Sequence, residues 1–269
     1  MQGLRSQKKR SLHGVNEYFF DVRNAAGGHY GQTLITQLKP LVMSSELIEY
    51  LSGFIQKRRL DNFDRILEHR TRYINIVCED IYQGHNASAI LRTCDCFGIQ
   101  DVHVIEAKNS FEVNSEVALG SSNWLSIHRH SDSTEDLSEL FKTLRSHKYR
   151  IVATTPHREG VSLRDFDLGK GPVSLVFGTE KDGLSKVLME MADEYMTIDM
   201  YGFTESFNVS VSAGIILHYL RNELTGKRIN WHLSESEKQL IKLDWLKKSL
   251  KRSELIEKEF YSKKTVGGT

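Results

Sequence analysis

Between Tyr73 and Leu224 the chain alternates short apolar runs with longer segments whose apolar residues fall at helical spacing. The strand-like runs are Ile74 to Cys78, Val102 to Ile105, Trp124 to His128, Tyr149 to Thr155, Val173 to Phe177 and Tyr195 to Ile198. The helical segments are Asn86 to Phe97, Glu135 to Ser146, Ser185 to Met191 and Asn208 to Leu224. Strands separated by helices are joined by right-handed crossovers. The expected architecture is therefore an α/β domain, a mostly parallel sheet with helices on its faces. Ligands of such sheets lie beyond the carboxyl ends of the strands.

The flanks differ from this core. Residues 1–43 contain Gly27, Gly28 and Gly31, show little periodicity and read as a loosely ordered extension. Ser44, Ser45 and Glu46 read as a helix cap, which fits a chain with a natural start at Met43. Residues 44–72 form a helical lead-in, with a helix expected from about Ser45 to Glu68. Residues 73–226 make the α/β domain. Residues 227–269 are a helical, basic C-terminal extension. Its Trp231, Leu233, Trp245 and Leu246 need a surface to cover, on the domain or on a partner subunit.

The formal net charge of +1 over 269 residues argues neither for nor against a polyanionic partner. Local charge says more. Lys57, Arg58 and Arg59 with Arg65, Arg70 and Arg72 form one basic cluster, and Lys247, Lys248, Lys251, Arg252, Lys263 and Lys264 form another. Both suit phosphate contacts, and both equally suit solvated helix faces, because acidic residues are interspersed. Three cysteines make no disulfide framework and fit a reducing cytoplasm. Cys94 and Cys96 are two apart on a helix, point to different faces and make a poor metal pair, so no metal is expected. The longest apolar runs fall short of the 18 or so residues that a membrane span takes. The N-terminus lacks the apolar core of a signal peptide.

Standard nucleotide fingerprints are missing: no G-x-G-x-x-G follows a strand into a helix, and there is no Walker-type phosphate loop. What remains are three polar turns joined to apolar elements. One is His85 to Gly98, a second is Val173 to Leu184 and a third runs from Gly202 to Leu220. Helix starts of this kind offer free backbone amides to polar ligands. Arg92 lies about 200° around its helix from Ile90, so it leaves the apolar stripe. Asn86 is placed to cap that helix, and Ser206 and Asn208 to cap the later one. Glu180 sits in the turn between Gly178 and Gly183. Taken singly, each of these residues reads as an ordinary cap or surface charge.

Taken together and in order, they resemble the SpoU (TrmH) family of RNA ribose 2′-O-methyltransferases, within the SPOUT superfamily. Three motifs carry the resemblance: Asn86-Ala-Ser-Ala-Ile-Leu-Arg92-Thr with Phe97-Gly98; Val176-Phe-Gly178-Thr-Glu180-Lys-Asp-Gly183-Leu; and Ile198 through Ser206-Phe-Asn208-Val-Ser-Val-Ser-Ala. Gly120-Ser-Ser-Asn-Trp124 also looks like a family segment. The match spans roughly Tyr73 to Leu224. The flanks, near Arg58 to Thr71 and Leu233 to Trp245, are similar to those of members that methylate a guanosine in the tRNA D-loop.

The resemblance implies a C-terminal deep trefoil knot, S-adenosylmethionine held by the knot loops, and a homodimer with the active site at its interface. Carried over, Arg92 is the catalytic arginine, supported by Asn86, Glu180, Ser206 and Asn208. Thr154, Gly178, Ile198, Met200 and Phe207 line the cofactor pocket. Arg58, Arg59, Arg65, Arg72, Lys247 and Lys248 contact RNA. The implied substrate is tRNA; ribosomal RNA, or a catalytically silent RNA-binding role, are the alternatives. The implied location is the cytoplasm, with no membrane partner. The chain departs from the family pattern twice. Asp199 stands where proline is usual, loosening a loop and adding charge near the cofactor. Glu205 stands where glutamine is common, positioned to repel an RNA phosphate.

Overall fold

The computed structural model describes residues 41–81, 83–156, 159–179 and 182–266, with side chains described between residues 45 and 264. Contacts divide the chain into two units, Met1–Leu47 and Ile48–Thr269. The expected loose extension over 1–43 lies almost wholly outside the described residues. The second unit holds the sheet and the helices packed on it.

The centre of that unit is a seven-stranded sheet, parallel at every described pairing. The strands are β1 (Ile74–Glu79), β2 (Asp101–Glu106), β3 (Ser126–Ser131), β4 (Arg150–Thr154), β5 (Val161–Ser162), β6 (Val173–Phe177) and β7 (Glu194–Thr197). Their order is β3-β2-β1-β6-β4-β7-β5. β1 and β6 are buried along their whole length, as their unbroken apolar runs require when both sheet faces are covered. Successive residues point to opposite faces. Ile76 and Leu175 pack with helices α3 (Gly84–Cys96) and α7 (Val209–Gly226), through Ile90, Leu91, Ile216 and Leu220. Val77 and Val176 pack on the other face with α5 (Thr134–Ser146) and α6 (Lys186–Met191), through Leu137, Phe141 and Leu188. Gly98 ends the α3 segment at φ +73°. A Cβ there would lie 2.4 Å from the His69 carbonyl oxygen, so only glycine lets the lead-in cross so closely.

Several boundaries differ from expectation. The single helix expected over Ser45 to Glu68 is two, α1 (Leu41–Ser52) and α2 (Lys57–Leu67), interrupted at Gly53 and by an extended Gln56. Trp124 is not in a strand. A 3-10 turn over Ser121–Asn123 precedes it, and β3 begins at Ser126. A one-turn helix, α4 (Ser115–Ala118), was not anticipated. Asn114 caps it, and Leu119 and Gly120, both in left-handed conformation, close it. The C-terminal extension is two helices, α8 (Glu235–Ser249) and α9 (Ser253–Val266), separated by Arg252 at φ +61°. Ser234 and Glu237 form a complete capping box at the start of α8.

The extension covers the domain, as its tryptophans demanded. Trp245 is 1% exposed, donates its indole N–H to the Trp124 carbonyl at 3.0 Å and packs edge-on to Phe63 of α2. Ion pairs between Lys238 and Glu68 and between Lys242 and Asp64 fasten α8 to α2. Trp231, ahead of α8, lies under the Arg221 guanidinium at 4.0 Å.

Candidate active site

The carboxyl ends of β4, β6 and β7 open into one cavity of about 100 Å³. Three chain segments build it. From β4 come Thr154 and Thr155, and the Thr154 hydroxyl donates to the Val176 carbonyl at 2.9 Å. After β6 the chain turns at Gly178, where paired backbone bonds between Thr179 and Gly183 of 3.0 and 3.1 Å fold the turn back on itself. A Cβ on Gly178 would lie 2.3 Å from the Gly183 carbonyl, so this approach needs glycine. After β7 come Ile198, Met200, Ser206 and Phe207. Every residue expected to line a cofactor pocket (Thr154, Gly178, Ile198, Met200, Phe207) faces this one cavity, with Ser206 beside them.

The lining is apolar side chains and hydroxyls, with no lysine or arginine among the described residues. That donor set suits an uncharged heterocycle on the apolar wall and a polar or cationic group among the hydroxyls and main-chain atoms. Among the described residues it offers no side-chain cation to neutralise a phosphate. It fits S-adenosylmethionine, which carries no phosphate and a positive sulfonium.

Sequence reasoning missed part of the wall. Val209, Ser212 and Ile216 of α7 also line the cavity. Their spacing of three and four residues was the available signal. It was masked because the same stripe also packs into the core. Glu79 was missed as well. At the end of β1 and 8% exposed, it accepts a hydrogen bond from the Ser185 amide at 2.8 Å, tying the far end of the Gly178 turn to β1. Burial pushes its carboxyl pKa upward, against the pull of Ser185.

Asn86 does not cap α3, because the helix begins at Gly84 with Gln83 as the extended residue before it. Asn86 is instead buried in the first turn. Its Nδ2 donates to Gln83, and its Oδ1 accepts from Asn208 Nδ2 at 3.2 Å, across 122 positions of sequence. Asn208 does cap α7, accepting from the Ser210 amide at 2.9 Å and the Ser210 hydroxyl at 2.6 Å. One amide side chain thus joins the starts of two helices, next in sequence to the cavity-lining Phe207 and Val209. Arg92 does not line the cavity. It is exposed on α3, six residues and about 9 Å of helix rise from Asn86, and makes no hydrogen bond or ion pair among the described residues. Glu180 lies outside the described residues.

Asp199 does not add a bare charge. Its carboxylate accepts from Ser162 Oγ at 3.1 Å and pairs with Arg164 at 2.9 Å. Glu205 is exposed in the loop after it.

The basic clusters separate into open and occupied charges. Arg58, Arg59 and Arg65 are exposed on α2, with the Arg59 guanidinium 5.6 Å from the Trp124 ring. Lys248 makes a surface pair with Asp244. Arg70, Arg72 and Lys247 are engaged with partners inside the protein. Arg70 is 1% exposed and spends its charge on Asp95, the Ile99 carbonyl and the Trp245 ring. Arg72 pairs with Asp101 and Glu237, and Lys247 with Glu257.

Comparison with known proteins bears on this geometry. Residues 73–218 match the SpoU rRNA Methylase family. The chain is 36% identical over 210 residues to the tRNA (guanosine(18)-2′-O)-methyltransferase of Borreliella burgdorferi, covering 78% of this chain and 94% of that protein. It is 30% identical over 195 residues to the enzyme of that name from Thermus thermophilus, covering 72% and 96%. The crystal structure of the A. aeolicus TrmH/SpoU tRNA modifying enzyme superposes with a TM-score of 0.65 at 31% identity, over 73% of this chain and 98% of that one.

Proposed function

Because this chain belongs to the SpoU rRNA methylase family, we propose that it methylates a ribose 2′-hydroxyl of tRNA, at the guanosine(18) position named for its relatives. The observation that carries this reading is the cavity at the ends of β4, β6 and β7, whose described lining carries no lysine or arginine. The Asn86–Asn208 bond ties α7, which lines the cavity, to the helix bearing Arg92.

S-adenosylmethionine, when bound, supplies an electrophilic methyl group. The protein has to seat the 2′-hydroxyl against it, keep water out and manage the hydroxyl proton. Thr154, Gly178, Ile198, Met200 and Phe207 hold the cofactor, largely through main-chain atoms. Arg92 stays charged. It positions the RNA phosphate and stabilises charge growing on the 2′-oxygen, an effect commonly worth about 3 kcal/mol. Asn86, Ser206 and Asn208, with Glu180, keep the loops and the ribose in register.

Arg92 is exposed, unpaired among the described residues and off the cavity wall. This favours a site completed across a twofold homodimer, in which the guanidinium of one protomer serves the cavity of the other. The family's trefoil knot is the threading that brings the Gly178 turn and the 198–207 loop together. Arg58, Arg59 and Arg65 on α2, with Lys248, form the tRNA-binding face, and a cytoplasmic location follows from the substrate.

The test is transfer of labelled methyl from S-adenosylmethionine to tRNA, ribosomal RNA and an unrelated RNA, with the modified nucleotide mapped. Arg92→Ala should lose roughly 100-fold or more of turnover while binding S-adenosylhomocysteine normally. Methylation of ribosomal RNA alone, or full turnover in that variant, overturns the reading.

A further inference from the structure

The loop that closes the cavity has little to hold it. Residues 201–208 are all exposed, yet Met200, Ser206 and Phe207 must stay in place to form the wall. One end is pinned by Asn208 to Asn86. The other leaves the sheet at β7, whose outer neighbour β5 contributes only two rungs, Val161 with Met196 and Ser162 with Thr197. Beyond those rungs the attachment passes to side chains. Ser162 Oγ donates to Asp199 at 3.1 Å. Arg164 reaches Asp199 at 2.9 Å and the Tyr201 hydroxyl at 3.0 Å. The Arg164 carbonyl in turn accepts from the Tyr219 hydroxyl of α7 at 2.9 Å, fixing the segment from which the guanidinium extends.

We propose that Arg164 is a positioning residue for methyl-donor binding: through Asp199 and Tyr201 it holds the 198–207 loop in the shape that forms the cavity wall. The proposal rests on the reading of that cavity as the S-adenosylmethionine site. Both contacts are made by one terminal nitrogen, Nη2, so a single cationic group ties two residues of the loop to the segment after β5. The Arg164 side chain is 63% exposed and that of Asp199 35% exposed, so the pair adds little to global stability. Its effect is local, on a loop with few other attachments.

The test compares wild type, Arg164→Ala, Arg164→Lys, Asp199→Asn and the Arg164→Ala/Asp199→Asn double variant. Two readouts are independent of turnover: calorimetric affinity for S-adenosylhomocysteine, and amide hydrogen exchange over 198–207 in the free protein. Arg164→Ala and Asp199→Asn should each weaken binding about fivefold, the double variant no further than either alone, and Arg164→Lys by an intermediate amount. Exchange in the loop should quicken in all variants while the thermal midpoint stays within about 2 °C. Unchanged affinity and exchange in Arg164→Ala, or single effects that multiply in the double variant, overturn the proposal. Failure of the wild type to bind S-adenosylhomocysteine would remove the cavity reading. The clamp itself is then judged by loop exchange, with unchanged exchange in Arg164→Ala counting against it.

Discussion

The Asn86–Asn208 bond makes the most discriminating prediction, because Asn208 does two separable jobs. Its Oδ1 caps α7 and its Nδ2 serves Asn86. Asn208→Ala removes both. The lost cap costs about 1 kcal/mol. Asn86 is 3% exposed, and losing one hydrogen bond to so buried an amide adds about 1–2 kcal/mol. The total, about 2–3 kcal/mol, should be measurable as a shift in urea midpoint at constant slope. Asn208→Asp keeps an acceptor at the cap and places a negative charge at a helix start, which is mildly favourable. It removes only the donor to Asn86, so it should cost about 1–2 kcal/mol. A double-mutant cycle of Asn86→Ala with Asn208→Ala should show coupling of about 1 kcal/mol. Both Asn208 variants should also weaken S-adenosylhomocysteine binding, since the cavity loop loses an anchor. If Asn208→Asp is as stable and binds as tightly as wild type, or the cycle closes with no coupling, the reasoning that this bond sets the loop is wrong.

Gly178→Ala should fold at a cost of about 1–3 kcal/mol, because the added methyl meets the Gly183 carbonyl at 2.3 Å. It should lose most cofactor affinity by calorimetry, and wild-type affinity would show that the turn has room to spare. On the other half of the sheet, His103, His128 and His130 stack beside Asp101, and burial with like-charged neighbours lowers the His130 pKa to about 4. The folded state then binds fewer protons than the unfolded one below the ordinary histidine value of 6.5. Stability is complete above that value and falls as pH drops from 6.5 towards 4, by at most about 3–4 kcal/mol from this group. Urea titrations across that range should show a slope that His130→Asn reduces; an unchanged slope refutes the assignment.

The α/β architecture was legible because β1 and β6 carry apolar runs on both faces and the intervening helices keep a clear stripe. The two-residue β5 was not, since Val161 and Ser162 alone have no period. The lead-in read as one helix because Leu47 to Ile55 share a stripe that continues past Gly53, and a stripe does not reveal where a chain bends. The cavity wall was legible through motif order, yet Asn86 was mistaken for a cap. A polar residue near a helix start looks the same whether it serves its own backbone or a side chain 122 residues away. Arg70 shows the limit of charge counting. In sequence it belongs to a basic cluster, and only the fold reveals that Asp95 and Trp245 enclose it.

That enclosure matters for biosynthesis. Arg70, Trp124 and Phe63 leave the ribosome well before Trp245, which seals all three. Until α8 emerges and docks, the nascent protein carries an open aromatic seat with a cation at its base. α8 is therefore a lid over this seat, and a chain cut short before Trp245 presents chaperones and proteases with the surface that the docked helix conceals.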